Sequence, residues 1–390
     1  MTLEYEIDFA LADSLLGKDW GPLEPYWNSC RELVLDKITD HRLANLFFLS
    51  SKGMNCPENF KHEMQRTFVA NKLWEDQHFT ILKRVLSGFS QKNIHPLLFK
   101  GTALAYSLYP APVARDRGDT DILVRPEDFS LASDILLDQD FTTQPNVGDK
   151  YNIESEFVFI DKFGLRHWID LHRQISNCRA YAKHFPYQTL AANAVSIPFG
   201  DNQVKILGPI DAMLIACFHY HETLNSSQSN NHPTPNQNLL LWLYALHLLS
   251  QDFTEKHWAQ LLDVASKTGL SGSCSEALIL MRRYFDTDIN LVVLEKLQEA
   301  VRNSAIDKYL KASRTRRRLY DVAHQESFLN KFGMLFEVLF PNTEFMKAKY
   351  PDAWPSSMIF LYVRRLLSGA HARLWSSSVS YTHLTLPTKA

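Results

Sequence analysis

The spacing of apolar residues changes twice along the chain, and that change limits the folds it can adopt. Up to about residue 90, segments such as CRELVLDKITDHRLANLFFLSS and FKHEMQRTFVANKLWEDQHFTILKRVLSGF repeat every three to four residues, the period of a helix with one buried face. From Pro209 onward the same period returns in DAMLIACFHYHETL, LLLWLYALHLL, EKHWAQLLDVASKTG and SEALILMRRYF. Between them lie short alternating or continuous apolar runs: IHPLLF, DTDILV, SEFVFI, LRHWIDLHR, VSIPFG and QVKIL. These read as strands, with Asp161-Lys162-Phe163-Gly164 as a hairpin turn and VSIPFG/QVKIL as a further hairpin. PEDFSLASDILLDQDF reads as an amphipathic helix whose first turn carries Glu127 and Asp128, where acids suit the helix dipole. Strands confined to the middle of a helical chain predict an α+β fold. The expected division is a helical region over 1–92, a core with a small mixed sheet over 93–208 and a helical domain over 209–375.

The polar, proline-containing stretch 226–238 (SSQSNNHPTPNQN) reads as a loop. The final residues, SYTHLTLPTKA, lose the apolar period and resemble a translated adapter or cloning scar. Residues 376–390 are accordingly expected to form a disordered tail, with the true C-terminus missing.

Composition removes several classes of function. A formal net charge of −2 gives no global attraction to nucleic acid or to an anionic membrane. The longest apolar run, 239–249, is too short to span a bilayer, and the acidic N-terminus is unlike a signal peptide. Five scattered cysteines without CxxC spacing argue against a disulfide framework or zinc knuckle, so a reduced, cytoplasmic setting is expected.

The chemistry concentrates in two short stretches, FKGTAL (99–104) and RGDTDILV (117–124). On a strand, Asp119 and Asp121 point to one face while Thr120 and Ile122 point to the other. Two carboxylates so placed repel each other unless a cation lies between them, and Mg²⁺ or Mn²⁺ would take such oxygen ligands. Alone, the pair could equally be a solvated strand end. Lys100-Gly101-Thr102 stands where a strand meets a helix, and the unpaired amides of a first helical turn attract anions. There Gly101 would admit a phosphate to the backbone, Thr102 could cap the helix and Lys100 would add charge; the plain alternative is a capped turn. A third acid, Asp170 in WIDLHR, shares a strand face with Trp168 and His172, leaving Ile169 and Leu171 for the core. Three acids beside a phosphate turn suit phosphoryl transfer assisted by metal ions.

Taken together, LLFKGTALAYSLYP, RDRGDTDILVRPEDF and WIDLHRQI resemble the uncharacterised nucleotidyltransferase family of the DNA polymerase β superfamily. The likeness continues in LLWLYALHLL, HWAQLLDVASKTGL and LFPNTEFMKAKYPDAWPSSMIFLYVRRLLSGA, over most of residues 20–370. The resemblance implies a polymerase β-like core that uses Mg²⁺ and a nucleoside triphosphate such as ATP. It places metal binding and catalysis on Asp119, Asp121 and Asp170, and phosphate contacts on Gly101 and Thr102. One position departs from the family: Ala245 stands where the matching helix usually carries an acid.

Arg115 and Arg117 could neutralise the triphosphate or pair with Asp116 or Asp119. His219 and His221 are two apart on a helix and face nearly opposite ways, so they and Glu222 read as structural. The basic run SRTRRRL (313–319) lacks interleaved aromatics and reads as a solvated helix face rather than an RNA contact. The expected function is transfer of a nucleoside monophosphate from a triphosphate to an unidentified acceptor (small molecule, protein or RNA), with release of pyrophosphate and no membrane partner. The alternatives are a nucleotide-binding or interaction module without turnover, and an RNA-binding protein. Metal-dependent binding without transfer would mark the first, and salt-dependent RNA affinity the second.

Overall fold

A computed structural model describes residues 2–143, 153–229, 240–301, 305–325, 327–353 and 357–374. The expected tail therefore lies outside the described residues.

The chain opens with α1 (Leu3–Gly17), α2 (Glu24–Asp40), α3 (Ala44–Ser51) and the long α4 (Glu58–Gln91). The central part runs β1 (Leu97–Phe99), α5 (Lys100–Leu108), β2 (Asp119–Leu123), α6 (Phe129–Asp138), β3 (Thr142–Thr143), β4 (Glu154–Ile160) and β5 (Arg166–His172). Two short helices, α7 (Arg179–Ala182) and α8 (Tyr187–Asn193), then lead to β6 (Val195–Phe199) and β7 (Asn202–Ile206). Helices follow: α9 (Pro209–Ser229), α10 (Leu240–Ser250), α11 (Glu255–Thr268), α12 (Ser271–Phe285), α13 (Leu291–Glu299), α14 (Ala305–Leu310) and α15 (Arg314–Ala323). The last are α16 (Phe328–Leu339), α17 (Thr343–Lys349) and α18 (Met358–Leu374). No helix among the described residues is long and apolar enough to cross a membrane.

The α+β class expected from the sequence holds, and the sheet is mixed. Among the described residues it has seven strands in the order β3-β4-β5-β2-β1-β7-β6, with β1/β7 and β2/β5 parallel and the other pairs antiparallel. The Asp161–Gly164 turn joins β4 to β5. Gly164 has a φ of 78°, and Asp161 Oδ1 accepts the amides of Phe163 (2.8 Å) and Leu165 (2.9 Å). Of the stretch 226–238 expected as a loop, residues 226–229 belong to α9, which continues through Ser229; residues 230–239 lie outside the described residues.

The two faces of the sheet have different cores. Leu98, Ile122, Ile169, Leu171 and Phe157 pack against Ile81, Leu82, Val85 and Phe89 of α4 and Ala132, Ile135 and Leu136 of α6. On the opposite face Leu97, Phe99 and Leu123 join a larger apolar cluster that runs from α1 to α14. Each wholly buried aliphatic or aromatic side chain contributes about 1.5–3 kcal/mol, so the register of these strands is strongly fixed. That register puts the acids of β2 and β5 on the second face, under α9.

Candidate active site

Asp119, Asp121 and Asp170 lie on one face of two adjacent strands. In the parallel pairing of β2 with β5, Asp121 stands opposite Asp170 and Asp119 opposite Trp168. On the other side of β5, the antiparallel hairpin sets Glu156 opposite Asp170 and Glu154 opposite His172. Five carboxyl groups thus share one patch of sheet. Ligand atoms of Asp121, Asp170 and His172 come within 4.8 Å of one another, close enough to hold one metal ion. The acids expected to act together are therefore brought together, but it is His172, not Asp119, that completes the tightest group.

The charges around Asp121 and Asp170 differ sharply. Lys100 Nζ lies 2.6 Å from Asp121 Oδ1, and His172 Nε2 lies 3.1 Å from the same oxygen. Burial pushes the Asp121 carboxyl up, but Lys100 and His172 outweigh it and hold it well below the usual range. Burial also works against the Lys100 ammonium, and Asp121 overcomes that to raise it above its ordinary value. Asp170 has no such compensation. Burial, then Asp121, Asp119, Glu154 and Glu156, push its carboxyl up to about 8. Asp119 is raised as well, by burial first and by Asp121 next. A patch with one ion-paired carboxylate and one uncompensated carboxyl suits a divalent cation, whose charge would hold both in ionised form.

Lys100-Gly101-Thr102 forms the junction of β1 and α5, as the sequence indicates, although its backbone is shaped differently. The left-handed residue is Lys100, with a φ of 50°. A non-glycine residue there costs about 1–2 kcal/mol, strain of a kind that persists where surrounding contacts over-determine it. Its ion pair with Asp121 is such a contact. Gly101 lies beneath Arg115: a Cβ built on it would stand 3.0 Å from Arg115 Nη1. Thr102 does not cap α5 with its side chain. Its hydroxyl is wholly buried, contacts Thr120 Oγ1 at 2.7 Å and receives Arg117 Nε at 3.0 Å.

The two arginines have separate situations. Arg117 is engaged on all sides: Nη1 lies 2.7 Å and Nη2 2.9 Å from the Glu75 carboxylate, and Nη1 also donates to Pro112 O. Neither Asp116 nor Asp119, the acids weighed for it from sequence, is its partner. Arg115 is as buried but forms no ion pair among the described residues, and its Nε has no hydrogen-bond partner. Burial lowers its pKa, and the Asp119 carboxyl acts on it from a distance; a buried guanidinium without a direct ion pair over the first turn of a helix attracts anions.

A family model for uncharacterised nucleotidyltransferases matches residues 31–286, more than half of the sequence. The chain belongs to this family of nucleotidyltransferases. The matched span contains every acid described above, whereas the C-terminal stretch 339–370 noted in the sequence falls outside it. No curated protein matches the chain. Among solved structures, an antigenic nucleotidyltransferase-like protein from Paracoccidioides brasiliensis is similar at 13% identity and a TM-score of 0.29, over 51% of this chain and 92% of that one.

Two residues of α9 that the sequence marks as structural feel the charges of this site. Burial holds His219 down to about 3, and the charges acting on it next are Lys100, Asp121, Arg115 and His172. Its ring packs on Trp242 with centroids 4.9 Å apart. Glu222, one helical turn on, is raised by burial and feels Lys100, Arg317 and Glu154. His221 points elsewhere and pairs with Glu276 at 3.1 Å. The signal was the 219/222 spacing, which shares a helix face, rather than 219/221. Ala245, where the family usually has an acid, is buried in the large apolar cluster.

Proposed function

We propose that this chain is a Mg²⁺-dependent nucleotidyltransferase, also able to use Mn²⁺, with a polymerase β-like core. It would move a nucleoside monophosphate from a triphosphate to an acceptor and release pyrophosphate. The observation that carries this reading is the Asp121–Asp170–His172 group beside the Lys100–Thr102 turn, with Arg115, its Nε without a hydrogen-bond partner, above Gly101. Asp119 and Asp121 would hold the metal that accompanies the triphosphate, and Asp170, with Asp121, the metal on the acceptor side. When bound, these ions would neutralise the phosphates and lower the acceptor's pKa. The first amides of α5 and Arg115 would bind the phosphates, and Lys100 would share their charge. His172 would orient Asp121, while Arg117 and the Thr102 hydroxyl would support the turn from behind. The acceptor oxygen forms a new bond to the α-phosphorus as the bond to the leaving pyrophosphate breaks, and its proton leaves towards the acidic patch.

The test is incubation of the purified protein with Mg²⁺, a cell extract and each of ATP, GTP, CTP and UTP labelled at the α-phosphate. Covalent label on an extract component, abolished by Asp170→Asn, is the expected result. Metal-dependent binding without transfer would favour the module without turnover, and absence of nucleotide binding would remove both readings.

A further inference from the structure

On the side of β2 away from Asp121, a line of polar side chains runs through the core. Arg117 Nε meets Thr102 Oγ1 at 3.0 Å, Thr102 meets Thr120 Oγ1 at 2.7 Å, and Thr120 meets His78 Nε2 at 2.6 Å. His78 Nδ1 then meets His167 Nδ1 at 3.3 Å, and His167 Nε2 meets Asp161 Oδ2 at 3.2 Å. Thr102, Thr120, His78 and His167 are all wholly buried, and the rings of Trp74, His78 and His167 cluster with all three centroid separations between 4.4 and 5.5 Å. Asp161 is thus committed to the hairpin turn and to this line.

Valence gives the line one direction. Burial pushes the Asp161 carboxyl up, but the Leu165 amide, His167 and the Phe163 amide outweigh it and keep the group ionised. A carboxylate only accepts, so His167 must carry its hydrogen on Nε2. Burial lowers the pKa of both histidines, which leaves them neutral, so His167 Nδ1 is bare and His78 Nδ1 must donate to it. His78 Nε2 is then bare and receives the Thr120 hydroxyl. Thr120 in turn accepts from Thr102, and Thr102 accepts from Arg117. The alternative acceptor for the Thr102 hydrogen, the carbonyl oxygen of Asp119 at 3.2 Å, goes unused in this arrangement.

We propose that Asp161, acting through His167 and His78, is a positioning residue that sets the hydroxyls of Thr102 and Thr120 and so holds the Lys100–Thr102 turn against the acidic strand. Thr120 lies between Asp119 and Asp121, and Thr102 lies in the turn, so the line joins the two parts that nucleotidyl transfer needs in register. The consequence for nucleotide rests on the function proposed above, whereas the direction of the line does not. Asp161→Asn would reverse it. The Asn oxygen would keep the two turn amides, and its NH₂ would face His167 Nε2 and force the ring hydrogen to Nδ1. His78 would then carry its hydrogen on Nε2, Thr120 would donate to Thr102, and Thr102 would donate to the Asp119 carbonyl.

Long-range ¹H–¹⁵N NMR of the histidine rings in the full chain tests the direction. His78 should be protonated at Nδ1 and His167 at Nε2 in wild type, with both assignments exchanged in Asp161→Asn. Either wild-type tautomer reversed, or no exchange in a folded variant, overturns the proposal. Thr120→Val breaks the line with little change of shape and tests positioning even if Asp161→Asn does not fold. Hydrogen exchange at the amides of residues 103–105, the first hydrogen-bonded amides of α5, should quicken by about tenfold in that variant. Affinity for MgATP should fall about 10–100-fold, as for other partners behind a metal site. Unchanged exchange in Thr120→Val refutes the positioning role. Because exchange is read without nucleotide, a wild type that binds none would defeat the proposed function and leave this inference to be judged on the exchange alone.

Discussion

Binding of a divalent cation should expel a proton from Asp170. Moving a carboxyl from its ordinary value of 3.8 to about 8 corresponds to roughly 6 kcal/mol of ionisation free energy. At neutral pH only about one molecule in ten then carries an ionised Asp170. The cation needs the ionised form, so its apparent affinity should rise about tenfold per pH unit below pH 8 and level off above it. Asp121 adds no proton to this count because Lys100 and His172 already keep it ionised. Calorimetric titration with Mn²⁺ in buffers of different ionisation heats measures the protons released directly. About one proton per ion is expected near pH 6.5, falling towards half at pH 8. Asp170→Asn should lose affinity and flatten the pH dependence together. A wild-type affinity that is the same at pH 6 and pH 8, or a variant that keeps the slope, would refute the reasoning.

The same shift has a consequence for stability. The folded value of Asp170 lies above its unfolded one, so its contribution is fully present below about pH 4 and is lost as pH rises towards 8. The metal-free protein should therefore melt at falling temperature across that window. Added Mg²⁺ should restore more stability at the alkaline end than at the acidic end, which differential scanning fluorimetry would show.

The remaining predictions concern the phosphate turn. Arg115→Met removes a buried cation that forms no direct ion pair, so the melting temperature should change little while triphosphate affinity falls at least about tenfold; a variant that binds nucleotide normally would remove Arg115 from the site. Arg117→Met strands the buried Glu75 carboxylate and should cost about 3–5 kcal/mol in urea unfolding. Gly101→Val should leave the fold intact, since only the end of the Arg115 side chain crowds a Cβ there, yet block close approach of a phosphate; full MgATP affinity in calorimetry would count against the cradle.

Much of the fold was legible because burial period and strand direction are local properties of sequence. Alternation separated Asp119 and Asp121 from Thr120 and Ile122, and Asp170 from Ile169 and Leu171, and the structure keeps those divisions between its two cores. The end of α9 was not legible: Ser226–Ser229 read as loop, but they extend a helix whose preceding turns are anchored in the core. Tertiary packing overrides the weak helix propensity of such residues.

The site was legible where its residues lie on one strand and obscure where it depends on pairing between elements. The turn at Asp161–Gly164 already fixed the register of the β4–β5 hairpin, so Glu154 and Glu156 could have been placed beside His172 and Asp170. The distinction between Arg115 and Arg117 could not. Both are buried arginines two residues apart before the same strand, and only the distant Glu75 on α4 decides which is paired. That pairing separates the two roles physically. The paired arginine can hold Thr102 rigidly because Glu75 already compensates its charge, while the one without a direct ion pair has a donor free to meet an incoming phosphate.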